Sequence, residues 1–279
     1  MYVKHRFAFN DSQKKLVQFL DKYKIKYESK HGITIFYIFE NHEKYTEINN
    51  FMNSNNVIPI SEAVYTDDEI QSSQWLTIRS TWYNGLYPQP QEDMKYIYIT
   101  YDTTNYCEGN HPKYYCRKGA VQKDNFILKK EPNWGTRNFM MINWVDDELF
   151  VSKKSEEILK NSHLKGFEFY DVLTKSNKVI EGTKQIFIKE HLKEGLCPGS
   201  IQKTYICPLC GFVKYQPKVG ANNFKKEIFD NLKVDIIKTA EKFSEIACFS
   251  FIIVSNKFYR TVKEAKLDRG LVFEPITLV

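Results

Sequence analysis

Apolar and polar positions alternate over Tyr2–Phe9, and this period of two predicts a strand. Next, Leu16, Phe19, Leu20 and Tyr23 recur at helical spacing, with Asp11 expected to cap the helix that carries them. After Gly32 the run Ile33-Thr-Ile-Phe-Tyr-Ile-Phe39 is rich in β-branched and aromatic residues and predicts a second strand. Tyr45, Ile48, Phe51 and Met52 mark one face of a second helix. Thr66-Asp67-Asp68-Glu69 has the form of a capping box, opening a third helix expected to run through Ile70 and Trp75. Tyr87-Pro-Gln-Pro90 then stops regular structure. The expected division of the chain is therefore an N-terminal α/β module over 1–92 and a second module over 93–279.

In the second module Tyr96–Tyr101 and Phe139–Val145 are expected strands. The apolar run from Cys248 to Val254 is expected to be a buried one. The most informative feature is an internal echo between 149–173 and 251–278. Val151-Ser152 and Val254-Ser255 each end an apolar strand and supply a serine cap. A helix follows, with Ile158 and Leu159 or Phe258 and Val262 on its apolar side. Leu164 or Leu267 packs near its end. Gly166 or Gly270 is expected to terminate it in the left-handed conformation, before a closing strand through Phe169 or Phe273. Two copies are too few for a solenoid, and they predict a duplicated core. The fold class expected is α+β: a small α/β unit, then a zinc-stapled α+β module containing two similar strand–helix–strand units.

The 279 residues are 42% apolar and 15% aromatic, ample for packed cores. No window reaches the roughly 18 apolar residues of a membrane span. The opening Met1-Tyr-Val-Lys-His-Arg-Phe carries no apolar stretch of signal-peptide length. The expectation is a cytoplasmic, bacterial-type protein without a membrane partner. The net charge of +6 is dispersed, because Lys and Glu alternate along most of the chain as on solvated helix faces.

Six cysteines under those conditions point to metal before disulfides. Cys207-Pro-Leu-Cys210-Gly211 is a knuckle that turns two sulfurs toward one ion, and zinc takes four ligands in a tetrahedron. Cys107 and Cys116 are the expected second pair: a knuckle with an insertion, ending in Cys116-Arg-Lys-Gly119. His111, inside the insertion, and Cys197 are reserve ligands. Cys248 is expected to be a buried free thiol. Four cysteines close the coordination sphere, so the zinc would be a structural staple. A redox role for Cys207-x-x-Cys210 is the competing reading.

Catalytic patterns are sparse. There is neither a Gly-rich phosphate loop nor a His-Glu-x-x-His. Asp146-Asp147-Glu148, just before Leu149-Phe-Val151, can be read as an acid–base or metal cluster, or as an ordinary loop or helix start. Lys113, Arg117, Lys118 and Lys123, with Tyr114 and Tyr115, would form the surface of a nucleic-acid-binding zinc protein. Trp75, Trp82, Tyr83, Tyr87, Trp134 and Trp144 are divided between core and any binding surface.

The two strand–Val-Ser–helix–Leu–Gly–Phe segments resemble the C-terminal part of bacterial immunity proteins of polymorphic toxin systems. Cys107/Cys116 with Cys207/Cys210 resembles the double Cys-x-x-Cys-Gly members, departing from them in the stretched first pair, which lacks a following glycine. The resemblance spans about 95–279. It implies a non-catalytic cytoplasmic protein that neutralises a cognate toxin by protein–protein contact, with no catalytic residues to transfer. The alternatives are a nucleic-acid-binding zinc protein and a hydrolase using Asp146-Asp147-Glu148.

Overall fold

The computed structural model describes every residue except 83–85, 106, 108–115 and 246–247. The fold is mixed α+β, and the chain forms two compact units, Met1–Glu69 and Ile70–Val279.

The first unit runs β1 (Tyr2–Asn10), α1 (Lys14–Lys22), β2 (Tyr27–Lys30), β3 (Ile33–Phe39), α2 (Tyr45–Ser54) and β4 (Ile60–Val64). Its sheet order is β2-β3-β1-β4 with every neighbouring pair antiparallel. Consequently β1 and β2 run parallel across β3, and β3 and β4 run parallel across β1. This is the split β-α-β, or ferredoxin-like, arrangement. The alternation places Phe7 and Phe9 of β1 and Phe36 and Ile38 of β3 on the buried face. There they meet Leu16 and Leu20 of α1 and Ile48 and Met52 of α2. Phe7 and Phe36 are paired in register and stack with centroids 4.9 Å apart. Asp11 does not cap α1: Gln13 stands at that position without a side-chain bond, and Asp11 instead accepts from the Thr34 hydroxyl at 2.5 Å. The Thr66–Glu69 capping box does form, with Glu69 N–H donating to Thr66 Oγ1 and Thr66 N–H donating to Glu69 Oε2.

That box opens α3 (Asp67–Ser72), which is shorter than expected; Trp75 begins a strand instead. The division of the chain thus falls after Glu69 and not after residue 92. The reason is that β5 (Trp75–Ser80) pairs with two strands near the C-terminus, so it belongs to the second unit. The second unit continues with α4 (Tyr96–Thr100), β6 (Tyr101–Asp102), β7 (Val121–Gln122), β8 (Ile127–Leu128), β9 (Phe139–Ile142), β10 (Val145–Ser152) and α5 (Lys153–Asn161). Then come β11 (Glu168–Thr174), β12 (Val179–Phe187), β13 (Ile201–Ile206), β14 (Val213–Pro217), β15 (Asn223–Phe224) and β16 (Ile236–Lys238). The chain closes with β17 (Ile252–Ser255), α6 (Asn256–Glu264), β18 (Leu271–Pro275) and β19 (Thr277–Leu278). Tyr96–Thr100 is helical where the sequence suggests a strand; Tyr96, Ile97 and Thr100 are buried, a helical and not an alternating pattern.

The echoed segments have the same topology. Five strands pair in the order β8-β11-β12-β10-β9, and four in the order β16-β17-β5-β18. In each sheet the strand before the helix and the strand after it flank one antiparallel strand, β12 or β5. The registers agree residue for residue. Ile186 of β12 faces Leu149 and Phe169, while Ile78 of β5 faces Ile252 and Phe273. Val151 faces Phe139 in the first sheet, and Val254 faces Ile236 in the second. The second copy is thus completed by β5, which precedes both copies in sequence.

The helix caps repeat as well. Ser152 Oγ accepts from Ser155 N–H and Ser255 Oγ from Phe258 N–H. Ser152 Oγ also donates to Asn138 Oδ1 at 3.2 Å, and Ser255 Oγ to Asp235 Oδ1 at 2.7 Å. The helix ends differ from expectation. His163 (φ 56°) and Lys266 (φ 55°), just beyond the last helical turns, take the left-handed conformation. For α6 this closes a Schellman-type turn, with Leu267 N–H donating to Val262 O at 2.9 Å. Gly166 and Gly270 come later and also have positive φ, 102° and 84°. Leu149, Val151, Leu159 and Ile186 of the first copy share one core with Ile78, Ile252, Val254, Phe258 and Val262 of the second. The strands are buried on both faces, as apolar runs such as Phe139–Ile142 and Ile252–Val254 require.

Candidate metal centre

Two distant segments present the four cysteines. After β6, Asp102 Oδ1 accepts from Thr104 N–H at 2.9 Å and from its hydroxyl at 2.6 Å, turning the chain toward Cys107. The returning strand is tied back by Cys107 N–H to Lys118 O at 3.2 Å. Gly119 makes this close approach feasible: its φ is +79°, and a Cβ there would lie 2.2 Å from Asn105 O. The other segment is the tip of the β13–β14 hairpin, paired through Ile206 and Val213. Cys207 N–H donates to Phe212 O and Gly211 N–H to Cys207 O, which is the expected knuckle turn.

The structure brings Cys107, Cys116, Cys207 and Cys210 together with all four sulfurs within 4.8 Å of one another. Cys107 Sγ lies 3.8 Å from Cys207 Sγ, and Cys116 Sγ lies 3.5 Å from Cys210 Sγ, across 100 and 94 positions of sequence. None of the six cysteines is in a disulfide. A disulfide needs about 2.05 Å. A tetrahedron with zinc–sulfur bonds of about 2.3 Å has sulfur–sulfur edges of about 3.8 Å, so the donor set and its spacing fit a metal ion. Burial raises the Cys207 thiol, but N–H groups of Cys210 and Leu209, with the Cys210 and Cys107 thiols, outweigh it and bring the pKa down to about 7. Burial pushes the Cys116 thiol up, so a cation is what would hold its sulfur ionised. Cys197 is half-buried with Sγ 3.9 Å from Gly195 O and stands outside the cluster. His111 lies outside the described residues. Cys248 is buried, as expected.

The acidic triplet is not a loop. Asp146, Asp147 and Glu148 lie within β10, and Asp147 and Glu148 are buried. Arg117, beside Cys116, donates to Asp147 Oδ1 at 3.2 Å and to Cys248 O at 3.0 Å. Lys242 Nζ stands 3.7 Å from Asp147 Oδ2, which also accepts from Ser250 N–H. Lys238 Nζ bonds Glu148 Oε1 at 2.5 Å, and Gln185 donates to Glu148 Oε2 at 3.0 Å. Burial drives the Asp147 carboxyl up, but Arg117, Lys238 and Lys242 together hold it well below the usual range. For Glu148 burial prevails over Lys238, and its pKa is raised. These groups line a cavity of about 340 Å³ that also takes in Tyr101, Tyr170 and Phe187.

Arg117 is therefore buried in an ion pair, not displayed on a surface with Lys118 and Lys123; Lys113, Tyr114 and Tyr115 lie outside the described residues. Among the aromatic residues singled out, Trp75 and Trp82 are core, while Trp144 is exposed and packs against Tyr87 at 4.7 Å. Lys238 and Lys242 escaped the sequence reading. The signal for Lys238 is its place at the end of the apolar strand Ile236-Ile237-Lys238, where an unpaired cation would be costly. No helix among the described residues is long and apolar enough to cross a membrane. No protein-family model matches the chain, and no curated protein matches it either.

Proposed function

We propose that this chain is a non-catalytic, zinc-stapled binding protein: an immunity protein that neutralises a cognate toxin by protein–protein contact. The observation that carries the zinc reading is the cluster of four sulfurs contributed by segments about Cys107–Cys116 and Cys207–Cys210. Four thiolates fill a zinc coordination sphere, so the ion would act on stability and not on a substrate. The ion pairing of Asp147 and Glu148 with Arg117, Lys242 and Lys238 supports the non-catalytic reading over the hydrolase, because both carboxylates are already bound by internal donors. The burial of Arg117 counts against nucleic-acid binding by this segment.

The test has two parts. Elemental analysis of protein purified without added zinc should give about one zinc per chain, lost in Cys207→Ser/Cys210→Ser; no metal in the wild type overturns the staple. Co-expression with a toxin encoded beside the gene should protect the host and yield a stable complex. Absence of both protection and complex sinks the immunity reading while leaving the metal question separate.

A further inference from the structure

We infer that the cavity between β10, β16 and the Arg117 segment is a binding site for a small oxyanion-bearing molecule, a carboxylate or a phosphate ester. This goes beyond the metal staple and does not depend on the toxin reading. The case rests on a mismatch between donors and acceptors. The cavity walls carry three cations, Arg117, Lys238 and Lys242, facing two inward carboxylates, Asp147 and Glu148. Glu168 and Lys189, exposed at its rim, offset each other. His191, also in the wall, is pushed down to about 4 by burial and by Lys242 and Lys238 and adds no charge at neutral pH, so one positive charge is left over.

The inward carboxylate oxygens are already engaged. Both oxygens of Asp147 and both of Glu148 have donors. Gln122 and Gln185 satisfy each other through reciprocal amide bonds of 2.8 Å. The donors are not spent. Arg117 has five N–H groups, and its two bonds both come from Nη1. Lys238 has three N–H groups and bonds Glu148; Lys242 has three and bonds the Ser250 hydroxyl at 2.8 Å.

An independent observation points the same way. Tyr101 is 3% exposed and lines the cavity, and among the described residues its hydroxyl has no hydrogen-bond partner. Buried hydroxyls almost always have one. An oxyanion would accept from Tyr101, Lys242 and Lys238 together and neutralise the surplus charge. Burial lowers the pKa of the Lys242 ammonium, and a bound anion would oppose that loss. Tyr170 and Phe187, stacked at 4.2 Å, provide an apolar wall for the body of the molecule. The volume suits a metabolite of a few atoms around one or two acidic groups.

The probes are inorganic phosphate and succinate, each titrated into the full-length protein at constant ionic strength with chloride as the reference. Thermal melting and calorimetry give the readout. Saturable stabilisation by either probe is expected. Phosphate alone would assign a phosphate ester, succinate alone an organic acid, and both an oxyanion site of broad reach. Tyr101→Phe should weaken binding roughly tenfold, the loss of one charge-assisted hydrogen bond. In the absence of probe the same variant should melt no lower than wild type, since the hydroxyl it removes is unpaired. Lys242→Met should abolish binding. If Lys242→Met does not fold, Tyr101→Phe decides. The site is overturned if neither probe stabilises the protein beyond chloride, or if stabilisation is unchanged in Tyr101→Phe.

Discussion

The backbone N–H of Ser250 donates to Asp147 Oδ2 at 3.2 Å, and the two residues occupy equivalent places, counted back from the capping serines Ser255 and Ser152. Equivalent residues that touch each other lie close to the axis relating the two copies. There the copies stop matching in chemistry. The first places Asp147 and Glu148 where the second has Ser250 and Phe251. The second places Lys238 where the first has Met141. The buried charges are held at the joint between two halves, each supplying what the other lacks.

Asp147→Asn should therefore be severe. It leaves Arg117 and Lys242 without their buried counter-charge, and losing one partner of such a pair costs about 3–5 kcal/mol. Denaturant unfolding at neutral pH measures this. The acid limb supplies a second check. The native Asp147 carboxyl is depressed, so its contribution is present above the unfolded value of about 3.9 and is lost as pH falls toward the native value. The variant should lack that part of the acid destabilisation. Glu148 is shifted upward, so its contribution is present below about 4.3 and fades as pH rises. Glu148→Gln should remove a pH dependence of the opposite sign.

Cysteine substitutions should separate ligands from bystanders. Cys116→Ser is expected to lose the metal, with a structural site of this kind worth on the order of 10 kcal/mol. Cys197→Ser, outside the cluster, should retain it. Elemental analysis distinguishes them. Retention in Cys116→Ser, or loss in Cys197→Ser, would redraw the ligand set. Chelation should also raise hydrogen exchange around Arg117, because Cys116 anchors the residue that reaches Asp147.

The two echo glycines should respond unequally to alanine. A Cβ at Gly166 would lie 2.3 Å from Ile236 O and 2.8 Å from Val234 Cβ, so strain adds to the left-handed penalty. A Cβ at Gly270 meets nothing closer than Thr81 Oγ1 at 3.7 Å. Gly270→Ala should cost about 1–2 kcal/mol, the conformational term alone. Gly166→Ala should cost clearly more. Equal losses in thermal unfolding would refute the packing difference.

The caps should behave alike. Ser152→Ala and Ser255→Ala are each expected to cost about 1 kcal/mol in chemical unfolding. A loss confined to one of them would mean that the matching caps do not carry matching weight.

Most local signals in the sequence were faithful because their cause was local, the expected Asp11 cap of α1 being the exception. The capping box at Thr66–Glu69, the serine caps and the Cys207 knuckle depend on residues a few positions apart, and all three form. The cluster of Cys107 and Cys116 with Cys207 and Cys210 was legible because thiols without disulfide partners have few other uses in such spacing. What was hidden depends on distant pairing. Trp75–Ser80 follows a capped helix closely enough to look like its continuation, and only Ile252–Ser255 and Leu271–Pro275 make it a strand. The buried charges were hidden for the same reason: Asp147 and Glu148 read as an acid–base cluster or a loop or helix start until Arg117, Lys238 and Lys242 arrive from elsewhere. The helix ends misled because a glycine was the obvious left-handed residue, whereas His163 and Lys266 take that role.

The position of β5 bears on how the chain emerges from the ribosome. Trp75–Ser80 is synthesised well before either of the strands that flank it, Ile252–Ser255 and Leu271–Pro275. Until Ile252–Ser255 has been made this apolar segment has two unpaired edges, and until Leu271–Pro275 follows it keeps one, the condition under which nascent chains associate wrongly. Completion of the second sheet must therefore wait until Leu271–Pro275 has emerged, and loss of Ile252–Ser255 and Leu271–Pro275 would leave an early-made segment without its template.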